Sequence, residues 1–114
     1  MSTYLVLLHE DEAEWRATPD DARAAAYAEH EAFTAACAAG GHTILGGHEL
    51  APAATARLVR RIDRAPVVSE GPYAEAVEQL SGYYLIDTPD VDELARLVAG
   101  VLGSGCAELR PVAS

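Results

Sequence analysis

Four large apolar residues in a row, Tyr83 to Ile86, constrain the fold of this chain more than any other feature. They are bounded by Gly82 and Asp87, and the length of the run is typical of a strand. Because alternate side chains of a strand point to opposite faces of its sheet, both faces of this strand are apolar. Such a strand is covered on both sides. We therefore expect it inside a sheet with helices on one face and a second covering element on the other.

Turn and cap signals divide the rest of the chain into helices and strands. The predicted elements are strands at 3–9, 42–50, 55–62, 66–69, 82–87 and 106–112, and helices at 19–39 and 91–102. The strands at 55–62 and 66–69 form a hairpin. Without the hairpin the order is β-α-β-β-α-β, the ferredoxin-like plan. With no linker or repeat in the sequence, we predict a single α+β domain over residues 1–114, ferredoxin-like with an inserted β-hairpin.

The second face of the 82–87 strand needs a cover in this plan, because both predicted helices lie on the other face. Homodimerisation through the open face of the sheet is the simplest solution. Burial of that face by the inserted hairpin is the alternative. We therefore expect a homodimer.

Both predicted helices have start signals in the sequence. Thr18 is expected to cap the first helix, with Pro19 at its first position. Asp90 and Glu93 hold capping-box positions at the start of the second helix. Each helix is therefore expected to begin with its own side-chain cap.

Composition limits the classes of function. The net charge is −10 and the pI is near 4.6, which argues against binding nucleic acid or an anionic membrane. The two cysteines, Cys37 and Cys106, lack metal-ligand spacing, and we expect both to be reduced core residues. No apolar run approaches the roughly 18 residues of a membrane span, and no secretory signal precedes the first strand. The expected location is the cytoplasm, and no pattern predicts a cofactor.

His30 is the strongest candidate for chemistry. It lies at helical spacing in the apolar stripe of the first helix, with Phe33 and Cys37. A free imidazole has a pKa of about 6.5, so it can act as a general acid or base where a pocket reaches it. The alternative is a histidine that only packs against the sheet.

His42 and His48 are the other histidines we considered, as metal ligands. They are six residues apart across Gly46-Gly47, where we expect a bulge in the strand. That spacing matches no helical or hairpin metal site. We therefore predict no metal, and we expect both histidines at the surface and the sheet edge.

The turn Glu70-Gly71-Pro72-Tyr73 supports two interpretations. In the first, Gly71 and Pro72 set the chain direction, Glu70 caps a short helix and the Tyr73 ring plugs the core. In the second, the turn is one wall of a small-molecule pocket. The Glu70 carboxylate and the Tyr73 hydroxyl are then its polar contacts.

The predicted hairpin holds half of the positive charge of the chain. Four of the eight basic residues lie on it, namely Arg57, Arg60, Arg61 and Arg64. The hairpin is either a solvated edge or a rim that faces an anionic partner.

Several segments together resemble the YCII-related proteins, in particular the branch named for its DGPF motif. The matching segments are residues 11–15, 30–33, 46–56, 70–75, 78–80, 82–87 and 108–112. The resemblance implies a dimeric ferredoxin-like fold of the α/β-barrel type, similar to muconolactone isomerases. It also implies a functional histidine on the first helix, paired with an aspartate in some members, and His30 matches it by position. The motif differs at Glu70 and Tyr73, where the branch has aspartate and phenylalanine, and Val77 replaces a common lysine.

Two hypotheses for function follow. In the first, the protein is an isomerase or lyase that binds a compact oxygenated or aromatic metabolite, and His30 moves a proton. The residues expected to contact this substrate are Glu70, Gly71, Pro72 and Tyr73. In the second, it is a non-catalytic binding or regulatory module, because the resemblance associates the DGPF branch with extracytoplasmic-function sigma factors. The basic hairpin would then be the partner surface.

Overall fold

The computed structural model describes all 114 residues, and its elements follow the predicted order. They are β1 (Ser2–Asp11), α1 (Glu12–Ala17), α2 (Asp20–Ala39), β2 (Thr43–Glu49), a 3-10 turn (Ala53–Thr55), β3 (Arg57–Ile62), β4 (Ala65–Glu70), β5 (Glu78–Thr88), α3 (Val91–Ala99) and β6 (Cys106–Pro111). Four strands form an antiparallel sheet in the order β2-β5-β1-β6, and β3 pairs with β4 separately. The ferredoxin-like α+β prediction is confirmed. None of the helices combines the length and apolar character needed to cross a membrane.

The core lies between α2, α3 and one face of the four-stranded sheet. Strands β1 and β5 occupy the centre of that sheet, and Val6 and Ile86 on them have no exposed surface. The buried cluster consists of Val6, Phe33, Cys37, Ile86, Leu94 and Val98. The prediction that 82–87 is a central strand is therefore confirmed. Cys37 is buried as expected, whereas Cys106 is exposed on the edge strand β6, so its assignment to the core is wrong.

The opposite face of the sheet, which we call the open face, carries a second apolar strip. Strand β1 pairs with β5 in a register that sets Leu5 against Leu85. Because side chains alternate along a strand, Leu5, Leu7 and Leu85 point away from Val6 and Ile86. These leucines are only half-buried in the single chain. Both faces of the central strands are therefore apolar, as the sequence predicts.

The acidic connector after β1 is a short helix, which the sequence pattern did not predict. Asp11 caps α1, since its Oδ1 accepts from the backbone N–H groups of Ala13 and Glu14 at 3.0 and 3.1 Å. Thr18 ends α1, and its hydroxyl donates to the Glu14 carbonyl at 2.7 Å. Pro19 takes the N-cap position of α2, without a side-chain cap. The predicted Thr18 cap is wrong because α1 already engages that hydroxyl.

His42 is in the interior, so its predicted surface position is wrong. Its side chain contacts two other elements: Nδ1 lies 2.8 Å from Thr88 Oγ1 on β5, and Nε2 lies 3.0 Å from Glu93 Oε1 on α3. Asp90 caps α3 as predicted, accepting from two backbone N–H groups. Glu93 does not complete the capping box, because its carboxylate faces His42 instead. A buried hydrogen-bonded imidazole thus links the end of α2 to β5 and α3.

The short helix predicted after the 70–73 turn does not form, and residues 71–77 are irregular. The side-chain amide of Gln79 donates to the carbonyls of Ala74 at 2.9 Å and Ala76 at 3.0 Å. These bonds hold the segment on a non-helical path. Tyr73 is 85% exposed, so it does not plug the core.

The hairpin of β3 and β4 forms as predicted, outside the four-stranded sheet. It turns through Asp63 and Arg64, whose φ values of 49° and 66° match the twist that two-residue hairpin turns favour. All but one of its strand residues are exposed. The radius of gyration of the chain is 16.1 Å, above the roughly 13 Å expected for a compact domain of this length. With extents of 50 × 42 × 18 Å, the molecule is flat.

Replacing His42 by alanine is expected to lower the free energy of unfolding by about 2–4 kcal/mol, because Thr88 and Glu93 lose their shared partner. His48→Ala is the matched control, since His48 is exposed. We expect it to change the same quantity by about 0.5 kcal/mol or less. Urea unfolding followed by circular dichroism measures both variants. Equal losses would contradict a structural role specific to His42.

Candidate functional site

A cavity of about 280 Å³, which we call the α2 cavity, lies between α2 and the four-stranded sheet. Its lining comes from α1, α2, β1, β2, β5 and the segment after α3, and half of the lining residues are hydrophobic. Small-molecule sites typically span roughly 300–1,000 Å³. The α2 cavity therefore suits a compact ligand.

His30 lines this cavity from α2. Its Nδ1 lies 2.7 Å from the Tyr84 hydroxyl, and its Nε2 has no hydrogen-bond partner in the chain. The Tyr84 ring packs against the core residue Phe33, with their centroids 5.1 Å apart. Because Phe33 is buried, this contact anchors Tyr84, and Tyr84 in turn orients the imidazole. His30 is therefore a half-buried histidine held at the edge of a cavity.

Burial sets the protonation state of His30. It lowers the pKa of the imidazole below its ordinary value of 6.5, while the negative charges of Glu29 and Glu49 oppose this shift only in part. The imidazole is therefore neutral at pH 7. Burial, with a smaller contribution from Cys37, raises the pKa of the Tyr84 hydroxyl, which stays protonated. Both members of the pair are therefore uncharged, and a hydrogen bond joins the imidazole nitrogen to the phenol oxygen.

Glu49 stands at the end of β2, where the Tyr27 hydroxyl donates to its carboxylate at 3.2 Å from both oxygens. Burial and the charge of Glu49 raise the pKa of Tyr27. The Tyr27 ring meets Trp15 edge to face, with centroids 5.8 Å apart. The Arg23 guanidinium lies over the Trp15 ring, 5.2 Å from its centroid. Glu49 is thus a positioned carboxylate beside an aromatic wall.

Glu10 is the second carboxylate of the cavity, on β1. Burial is the main cause that raises its pKa, and the negative charges of Glu49, Glu12 and Glu14 add to the effect. Five groups in the protein have clearly shifted pKa values, and four of them, Glu10, Tyr27, His30 and Tyr84, line this cavity. Shifted pKa values cluster at functional sites, because such sites combine burial with charge.

The residues of the 70–73 turn do not lie beside His30. Pro72 and Tyr73 line a separate groove of about 630 Å³, and Glu70 and Gly71 line neither the groove nor the α2 cavity. Gly71 instead abuts Ala56, whose carbonyl accepts its N–H at 2.8 Å. Within one chain the structure therefore separates the predicted substrate contacts from the predicted catalytic histidine. Their role in binding stays a prediction.

Sequence reasoning missed most of the polar residues that accompany His30. Tyr27 lies one turn before His30 on α2, a spacing that places both on one helix face. Tyr84 was assigned to the apolar strand, although its hydroxyl is the partner of the imidazole. Glu10 and Glu49 leave no local signal, because only the folded sheet brings the ends of β1 and β2 to the same cavity.

The histidines considered as metal ligands have other partners. His42 belongs to the interior cluster with Thr88 and Glu93, and His48 Nδ1 lies 3.0 Å from the Tyr83 hydroxyl. No group of three or more His, Cys, Asp or Glu side chains is arranged to hold a metal ion.

Comparisons with known proteins agree with this architecture. The family model of the YCII-related domain matches residues 2–113. An uncharacterized protein of Rhizobium meliloti (strain 1021) is 40% identical over 68 residues, which cover 56% of this chain and 55% of that relative. The matched stretch thus spans about half the length of the relative.

Replacing Gly47 by alanine is expected to disturb the His30–Tyr84 pair. The added Cβ would lie 2.7 Å from Tyr84 Cδ1 and 2.8 Å from the Tyr83 carbonyl oxygen, so the tyrosine ring must move. We expect a loss of about 1–3 kcal/mol in unfolding free energy and a change in the His30 ring resonances. Urea unfolding measures the loss in free energy, and nitrogen-detected NMR of the imidazoles measures the change in the His30 resonances.

Gly46→Ala is the matched control, because nothing lies within 4 Å of a Cβ at that position. The strand register shifts between Ile44 and Gly46, which confirms the predicted irregularity in β2. Unchanged His30 resonances in the Gly47 variant would show that Tyr84 does not depend on this close contact.

Proposed function

The chain belongs to the YCII-related family, and we propose that it binds a small metabolite in the α2 cavity and moves a proton on it through His30. The reaction class is isomerase or lyase. The observation that carries the proposal is the geometry of His30: the residue lines the cavity, one ring nitrogen is held by Tyr84 at 2.7 Å, and the other has no hydrogen-bond partner in the chain. A base oriented in this way has a free ring nitrogen that can accept a proton from a bound substrate.

The protonation state supports this role. Because burial keeps His30 neutral at pH 7, Nε2 presents a lone pair when the ring hydrogen is on Nδ1 and donates to the Tyr84 oxygen. Nε2 then takes a proton from a substrate carbon, and the electron pair of the broken C–H bond enters the substrate. In an isomerisation the imidazolium returns that proton to another carbon. In an elimination the electron pair expels a leaving group, which the imidazolium protonates.

The surrounding charges favour the step. The imidazolium that forms is stabilised by the negative charges of Glu29 and Glu49, the two groups that act to raise the pKa of His30. The buried Tyr84 hydroxyl keeps accepting from the ring throughout the transfer. The cavity has room for a compact substrate between its aromatic side chains.

The His30→Gln variant is expected to lose proton transfer and keep its fold. Wild-type protein is incubated in D₂O with a library of small metabolites, and NMR follows the exchange of carbon-bound hydrogen for deuterium. For any compound that exchanges, the variant should be slower by about 100-fold or more, since a positioned general base contributes 10²–10⁴.

Tyr84→Phe serves as the second variant, because it removes the hydroxyl and keeps the ring against Phe33. We expect slower exchange in this variant, since the imidazole loses its orienting partner. Exchange at the wild-type rate in His30→Gln would refute His30 as the base.

We further propose that the protein is a homodimer that covers its open face. Leu5, Leu7 and Leu85 supply an apolar strip there, and the shortest dimension of the chain is 18 Å, which corresponds to one sheet and one layer of helices. A second sheet packed on this strip would bury apolar surface on both subunits.

Leu85→Glu is expected to convert the dimer to a monomer, because it places a charge at the centre of the open face. Val59→Glu is the control, since Val59 is 68% exposed on the hairpin, outside the proposed interface. Light scattering after size-exclusion chromatography gives the mass of each. A monomeric wild type, or a dimer that survives Leu85→Glu, would exclude this interface.

The hairpin supports a second candidate function, a non-catalytic binding or regulatory module associated with extracytoplasmic-function sigma factor systems. Its four arginines are exposed and none forms an ion pair in the chain. Under this alternative no library compound exchanges hydrogen, and a protein partner is captured by wild type and by His30→Gln. Arg60→Glu would then release that partner.

A further inference from the structure

We infer that the ligand of the α2 cavity carries a positively charged amine, an inference that rests on the proposed function because it concerns the same cavity. Two of the residues that line the cavity, Glu10 and Glu49, are carboxylates, and none is an arginine or lysine. An anionic ligand would meet these carboxylates with no arginine or lysine to balance it, since the basic side chains of the lining are the histidines His9, His30 and His48. An ammonium group would form charge-assisted hydrogen bonds with them.

The arginine beside Trp15 is already held by other contacts through its Nη2. Arg23 lies on α2, but its Nη2 donates to the carbonyls of Trp15 at 3.0 Å and Arg16 at 3.1 Å. Its guanidinium also sits 5.2 Å from the Trp15 ring centroid. These contacts hold Arg23 against Trp15, and Arg23 is not among the residues that line the cavity. The two carboxylates therefore have no arginine or lysine partner on the lining.

The placement of Glu49 is specific. The Tyr27 hydroxyl donates to it at 3.2 Å from each oxygen, and this single bond leaves acceptor capacity on both oxygens. Trp15, Tyr27 and Tyr84 line the cavity around this carboxylate. Aromatic faces attract ammonium groups through cation–π interactions. The same wall therefore favours a cation and accommodates its carbon skeleton.

The electrostatics of Glu10 support the same ligand. Burial and three neighbouring carboxylates raise its pKa, and the Ser81 hydroxyl on β5 partly opposes the shift. The charged or titratable groups around it are His9 on β1, His48 and Glu49 on β2, Tyr83 and Tyr84 on β5, Glu12 and Glu14 on α1, and Tyr27, His30 and Arg23 on α2. A bound ammonium would offset the negative charge and lower the pKa of Glu10. Binding would then release a proton near the midpoint of the Glu10 titration.

Three compounds of matched shape test the inference: benzylamine, benzyl alcohol and benzoate. Isothermal titration calorimetry at pH 7 measures their binding to the wild-type protein. We expect benzylamine to bind at least tenfold more tightly than benzoate. Glu10→Gln and Glu49→Gln should each weaken benzylamine binding about tenfold, and Glu75→Gln, on the exposed 71–77 segment, should not change it.

Proton release is the second readout. Titrations at mildly acidic pH in two buffers with different ionisation enthalpies give the number of protons released on binding. Release should be present with benzylamine and absent in Glu10→Gln. A merely structural role of Glu10 would not produce this linkage.

Equal responses to benzylamine and benzoate, including no response to either, would overturn the inference. So would benzylamine binding that neither carboxylate variant weakens. Calorimetry separates this test from the proposed function, because it measures amine binding to the wild-type protein without any hydrogen exchange. If His30-dependent exchange is found only on anionic compounds, the proton-transfer proposal stands and the amine inference fails.

Discussion

The register between β1 and β5 is the constraint on which the rest of the structure depends. It sets Val6 against Tyr84 and Leu5 against Leu85, so that one set of side chains meets the helices and the other forms the open face. A slip by one residue would exchange the two sets and turn Tyr84 away from His30. Because both faces are apolar, a slipped register would still bury apolar side chains, although less well. Hydrophobic burial alone therefore does not exclude the slipped register. The hydrogen bond between Tyr84 and His30 adds the specificity that hydrophobic burial lacks.

The hydrophobic core and the candidate site are connected through Tyr84. Phe33 packs on Tyr84, and Tyr84 holds His30, so the geometry of the imidazole is inherited from the core. Burial of these side chains holds them in place and also excludes water from them. It lowers the pKa of His30 and raises the pKa of Tyr84, so that both stay neutral. Chemistry at this cavity would therefore use the neutral pair of His30 and Tyr84, with the carboxylates of Glu10 and Glu49 on the same lining.

Much of the fold could be predicted, because strand alternation and helical spacing are local patterns. Three of the failures share a physical cause, which is competition for one polar group. Thr18 was expected to cap α2, but the unforeseen helix α1 takes its hydroxyl; Glu93 was expected to cap α3, but His42 takes its carboxylate. The irregular segment at 71–77 follows the same rule, since the Gln79 amide engages carbonyls that a helix would need.

The sequence by itself determined the element order, the ferredoxin-like plan, the two-sided apolar strand and the placement of His30 on the inner stripe of a helix. These follow from periodicities of two and about 3.6 residues, which side-chain direction imposes on any strand or helix. Only the tertiary structure decided that Tyr84, Glu10, Glu49 and Tyr27 line one cavity with His30, and that Glu70 and Gly71 of the 70–73 turn do not. Those side chains come from separate strands and helices, and their meeting depends on register and packing, which no local pattern encodes.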